Sequence, residues 1–170
     1  MEHAAPTIED GQRARMKFLL VAVGHKMPSW ITTGFAEYVK RMPPSAKVEL
    51  IEVRQEPRTT GKSVAKMLEA EACRIAASLP EGTQRVVLDE HGASYTTKQF
   101  AQKMQDWMGG GRDVTFVIGG ADGLHESIKN GTQKMALSSM TLPHGLVRVL
   151  LAEQLYRAYS LLHNHPYHRE

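Results

Sequence analysis

With 170 residues, 42% of them hydrophobic, the chain has the length for one domain around one core, and a second domain of ordinary size is excluded. At 23% charged and 6% aromatic it has the composition of a folded protein, and its longest early apolar run, Phe18 to Val23, is far too short to span a bilayer. A formal charge of +3 permits RNA as a partner without establishing one, and the lone Cys73 excludes an internal disulfide and suits a reducing, cytoplasmic setting.

Met1 to Arg15 show no periodic apolar pattern and read as a disordered extension, so the domain is expected to span residues 16–170. A strand-like run opens at Met16 and closes at Gly24; Ser29 is then placed to cap a helix with apolar positions from Trp30 to Met42, ended by Pro43-Pro44. A second strand, Val48 to Val53, leads through a polar loop into a helix from Ser63 to Ser78. A third, Arg85 to Asp89, precedes His91-Gly92 and a helix from Thr97 to Met108, stopped by Gly109-Gly110-Gly111. The apolar strand Val114 to Ile118 runs into Gly119-Gly120-Ala121-Asp122-Gly123. A short helix (Leu124 to Asn130), a short strand (Lys134 to Leu137), a loop (Ser138 to His144) and a long helix from Leu146 to Leu162 complete the order. Alternating strands and helices predict an α/β fold, a mostly parallel sheet with helices on both faces.

Ligands of such sheets bind where strand carboxyl ends meet helix N-termini. The loop after the first strand lacks the Gly-x-Gly-x-x-Gly of dinucleotide sites. The glycines gather late instead, and Gly119-Gly120-x-x-Gly123 either admits a ligand against bare backbone or simply builds tight turns. Leu137 to His144 alternates polar and apolar residues and offers amides plus an aliphatic wall, as an adenine ring requires; an ordinary strand-to-helix connection is the alternative. Apolar residues all round the last helix mean either deep burial or a subunit interface, and Arg148 and Arg157 read as ion-pair partners of Glu153 and its neighbours or as functional cations. The histidine-rich end, His163 to Glu170, is a solvated tail, a metal-binding segment or a flap over an active site.

Together, Leu88-Asp89-x-x-Gly92, Gly119-Gly120-x-x-Gly123, Leu137-Ser138-x-x-Thr141-Leu142-Pro143-His144, Arg148, Glu153-Gln154-x-Tyr156-Arg157-Ala158 and Asn164-His165-Pro166-Tyr167-His168-Arg169-Glu170 resemble the bacterial RlmH family. Lys26-Met27-Pro28-x-Trp30 also looks like that family, so the resemblance covers Met16 to Glu170. It implies a SPOUT methyltransferase with a C-terminal trefoil knot, acting as a homodimer on N3 of a pseudouridine in large-subunit ribosomal RNA; the low net charge adds the expectation that the substrate is the assembled ribosome, free RNA being bound weakly. S-adenosyl-L-methionine is the implied methyl donor, with no metal, and Leu88, Gly120, Ser138, Ser139, Met140, Thr141, Leu142 and Pro143 are the implied donor contacts. His144, His165 and His168 become candidate proton acceptors, and Arg157, Tyr167 and Arg169 candidates for holding the base or its phosphate. Gly145, where the family often carries a bulkier residue or proline, is expected to loosen the start of the last helix. A ribosome-binding factor without catalysis and a metal-dependent hydrolase built on the tail histidines are the rival readings.

Overall fold

The computed structural model describes residues 15–167. Its sheet follows from the buried apolar runs: β1 (Met16–Val23) and β4 (Val114–Ile118) are almost wholly inaccessible and form the centre, while β2 (Ala46–Val53) and β5 (Gln133–Ala136) take the edges. With β3 (Gln84–Ser94) the order is β2-β1-β4-β3-β5, and every pairing is parallel.

The two-residue period of the strands divides the core. Phe18, Leu20, Ala22, Val86 and Phe116 face one layer with Met104, Trp107, Leu151 and Leu155; Val21, Val23, Val53, Val87 and Val117 face the other with Ala72, Ile75 and Ile128. The first layer holds α1 (Ser29–Val39), α3 (Thr97–Gly110) and α5 (His144–Leu162), the second α2 (Val64–Ser78) and α4 (Glu126–Lys129). The chain therefore leaves β4 for one face and both neighbours, β1 and β3, for the other. Those diverging connections open a crevice at the carboxyl ends of the central strands.

Several boundaries differ from expectation. Pro28, not Ser29, is the N-cap of α1, and no side chain caps it. Ser63 accepts from the Lys66 amide at 3.3 Å, and Thr96 and Gln99 form a reciprocal capping box on α3. Gly109 and Gly110 lie inside α3, and only Gly111, at φ 69°, ends it. β3 runs past Asp89 to Ser94 through a register shift between Leu88 and Ala93. The cause is Gly92: a Cβ there would stand 2.5 Å from the Met135 amide nitrogen, so only bare backbone passes β5 so closely.

The helix α5 begins at His144, set by the fixed φ of Pro143, whose carbonyl accepts from Val147. Gly145 does not loosen it. It is buried where α5 crosses α1, and a Cβ would press Met27 Sδ at 3.2 Å. No residue of α5 is fully exposed, but Leu146, Val149 and Leu150 are only half-covered. The expectation for Met1 to Arg15 falls outside the described residues, Arg15 excepted, as do the roles considered for His168 and Arg169. No helix among the described residues is long and apolar enough to cross a membrane.

Candidate active site

The crevice holds a cavity of about 440 Å³ walled by the segments that follow β3, β4 and β5. Its floor is glycine backbone. A Cβ on Gly119 would lie 2.6 Å from the Gly123 carbonyl oxygen, and Gly123, at φ 81°, returns its amide to Gly120 O at 3.1 Å. The tight turn is what these glycines serve directly: a Cβ on Gly119 or Gly120 would press the loop itself or Val23, and the turn so closed sets its backbone along the cavity. Leu88, Ile118, Met135, Leu142 and Val147 supply apolar wall.

Polar groups from all three segments join that wall, Asp89, Asp122 and Ser138 among them. The Asp89 carboxylate accepts the His91 amide at 2.8 Å and meets Lys129 Nζ at 3.5 Å; the amide first, then that cation, hold its pKa below the usual carboxylate range. Sequence reading missed this pair as functional, although a carboxylate at a strand's carboxyl end was the available signal. Ser138 Oγ accepts from the Met140 amide at 3.0 Å and so shapes the loop, and Met140 stands 75% exposed at its tip.

Six of the eight residues implied as donor contacts, Leu88, Gly120, Ser138, Met140, Thr141 and Leu142, border this cavity. Ser139 and Pro143 do not line it; Pro143 is engaged as the N-cap of α5.

Among the described residues, His144 is the one proposed catalytic side chain that lines the cavity. Burial, and secondarily the Arg148 cation, lower its pKa from 6.5, so the imidazole is neutral at physiological pH. Arg148 is 2% exposed and does not pair with Glu153. Its guanidinium donates to Gly24 O at 2.7 Å, to Val23 O at 3.3 Å and to Glu52 at 2.8 Å, tying the start of α5 to the ends of β1 and β2. Nothing in the sequence pairs residues so far apart.

The remaining candidates gather elsewhere. Arg157 forms the ion pair with Glu153 that is one of its two readings, Tyr167 donates to the same carboxylate at 3.1 Å, and the Arg157 guanidinium lies 4.9 Å from the Tyr167 ring centre. Asn164, at φ 52°, reverses the chain, His165 donates to Ser160 O, and Tyr167 packs on Tyr156 with ring centres 4.6 Å apart. Burial and the neighbouring Glu153 charge push the Tyr167 phenol up to about 12, so it stays protonated. At the helical rise of about 1.5 Å per residue, roughly 20 Å of α5 separates His144 from Arg157, and about 14 Å separates it from Glu153, where Tyr167 is held. Within one protomer, the tail through Tyr167 does not reach the cavity.

The family model described as predicted SPOUT methyltransferase matches residues 16–168. The chain belongs to this family. Proteins called ribosomal RNA large subunit methyltransferase H from Burkholderia lata and Nitrosospira multiformis are each 56% identical over 155 residues, covering 91% of this chain and 99% of the relative. The one from Bordetella petrii is 52% identical over the same spans. This places the chain in the RlmH group. A probable methylase family protein from Haemophilus influenzae Rd KW20 superposes with a TM-score of 0.51 at 13% identity, covering 91% of this chain and 70% of that one, a likeness of fold alone. The observed parallel α/β sheet is that of the SPOUT class, and its element order is consistent with a C-terminal trefoil thread.

Proposed function

We propose that this protein transfers a methyl group from S-adenosyl-L-methionine to N3 of a pseudouridine in large-subunit ribosomal RNA, on the assembled ribosome in the cytoplasm. Family membership and the names of its relatives support the reaction class. The observation that carries the assignment to this crevice is its glycine floor: Gly119 and Gly120 line a cavity that combines an aliphatic wall at Leu88, Ile118, Leu142 and Val147 with polar groups that include Asp89, Ser138 and His144. Those are the needs of a nucleoside with an apolar-faced base and hydroxyl-bearing sugar.

S-adenosyl-L-methionine, when bound, supplies an electrophilic methyl on a sulfonium. Leu88 and Leu142 are suited to flank the adenine, Asp89 to accept from ribose hydroxyls, and Ser138 and the Gly120 backbone to fix orientation. Such a transfer depends on alignment more than on a reactive side chain. His144, neutral and on the cavity wall, is able to accept the imide proton; this chain therefore provides a base without ionising it first.

The separation of the tail from the cavity favours a homodimer in which each copy's Arg157, His165 and Tyr167 complete the other's site. Half-covered Leu146, Val149 and Leu150 on α5, and Trp30 on α1 at 61% exposure, offer apolar surface for that pairing. Incubation with methyl-labelled donor and ribosomes lacking the modification tests the proposal: label should appear at N3 of one pseudouridine of the large-subunit RNA. Binding to ribosomes without incorporation would instead favour a non-catalytic binding factor.

A further inference from the structure

The turn after β1 carries a feature that the donor cavity does not use. Lys26 sits at φ 54°, and the other non-glycine residue at positive φ among those described, Asn164, is of a type that tolerates it. Lysine has no such tolerance, and backbone strain of this kind is kept where a ligand or a reaction draws on it. The turn is bonded to the neighbouring strand end, Gly24 N donating to Val53 O at 2.8 Å, so His25 and Lys26 emerge next to Arg54. All three are exposed. The acids around them are already taken: Glu52 by Arg148, Glu56 by Lys62 and Arg74, and Asp122 by Arg58. No ion pair among the described residues involves Lys26 or Arg54. The rim also borders the reaction site, since a Cβ on Gly24 would stand 3.6 Å from His144 Nε2.

We infer that Lys26 and Arg54 form a phosphate clamp for the RNA strand, gripping the backbone beside the nucleotide whose base enters the crevice. The inference rests on the methyltransferase reading and deepens it by naming the chain's own anionic contact. Two flexible cationic side chains leaving adjacent strand ends can close on one phosphate or on two successive ones, and the Arg54 guanidinium has the planar fork that suits two phosphate oxygens. The strained turn holds the ammonium at the rim in advance, which reduces the ordering cost of binding. It also supplies a local anionic contact in a chain whose net charge of +3 is too small to hold RNA by charge alone.

The test measures methyl transfer to intact ribosomes, as KM and kcat over a range of salt, for the wild type, Lys26→Gly, Lys26→Arg and Lys26→Gly/Arg54→Gln. Glycine accepts the positive φ of the turn without strain and removes the ammonium-bearing side chain. The double variant should raise KM about tenfold, more than it changes kcat, and make the slope of log KM against log salt shallower by roughly 1.5, two phosphate contacts at 0.7–0.9 each. Lys26→Arg should stay close to wild type, and donor affinity by titration should be retained throughout. Unchanged KM and salt slope in the double variant, with methyl still transferred, would overturn the clamp alone. A folded wild-type protein that binds ribosomes and transfers no methyl would overturn the methyltransferase reading and the clamp with it.

Discussion

Arg148 is the tie between the start of the last helix and the sheet, and its replacement by Met should show what that tie contributes. The substitution removes three donated hydrogen bonds and leaves the carbonyls of Val23 and Gly24 facing an apolar side chain. Breaking a buried charge pair typically costs about 3–5 kcal/mol. Glu52 is 41% exposed and regains water when released, so the lower end applies and the loss falls mainly on the two carbonyls, at about 1–3 kcal/mol each when unpaired. The expected destabilisation is therefore about 3 kcal/mol, a drop in Tm of roughly 6–12 °C for a chain of this size. Urea unfolding followed by circular dichroism, with Tm by calorimetry, measures it. Arg148→Lys should lose nearly as much, because one ammonium cannot serve a carboxylate and two carbonyls in a guanidinium's geometry. A loss below about 1 kcal/mol for Arg148→Met would refute the reasoning, since water would then be replacing bonds that the structure buries.

Three further outcomes follow from the site. His144 has a folded pKa below its unfolded value of 6.5, so its contribution to stability is present above that pH and is lost as pH falls toward the folded value; His144→Gln should flatten the pH dependence of urea unfolding in that window. Gly119→Ala should abolish donor binding by forcing a methyl to 2.6 Å from the Gly123 carbonyl, while Gly109→Ala, in open space within α3, should stabilise by about 0.5–1 kcal/mol with donor binding intact, both read by titration and thermal melts. If two copies share each site, His144→Ala and Arg157→Ala variants, each impaired alone, should regain up to about a quarter of wild-type activity when unfolded and refolded together as a mixture. No recovery from a mixture shown to contain mixed dimers would mean that each copy works alone.

The alternation of elements was legible in the sequence because buried parallel strands are short apolar runs between glycine and proline stops, as at Val114 to Ile118. The sheet order was not, since nothing local tells β4 to insert between β1 and β3. The extension of β3 was hidden for a similar reason: Gly92 reads as a turn, and only its contact with β5 makes it part of the strand. At the site, the loop Ser138 to Leu142 was legible from its alternation and from family resemblance, whereas Arg148 looked like a surface partner of Glu153 because its true partner, Glu52, lies on β2. The distance between His144 and the tail was equally invisible. Both belong to one characteristic C-terminal block, and only the length of α5 shows that they stand at opposite ends of it.

Isothermal titration of the folded protein with S-adenosyl-L-methionine, beside the Gly119→Ala variant, tests the central claim most directly. The account predicts one donor per chain for the wild type and no measurable heat of binding for the variant. A wild-type protein that is folded and dimeric yet binds no donor at high micromolar concentration, or a Gly119→Ala protein that binds as well as wild type, would contradict it.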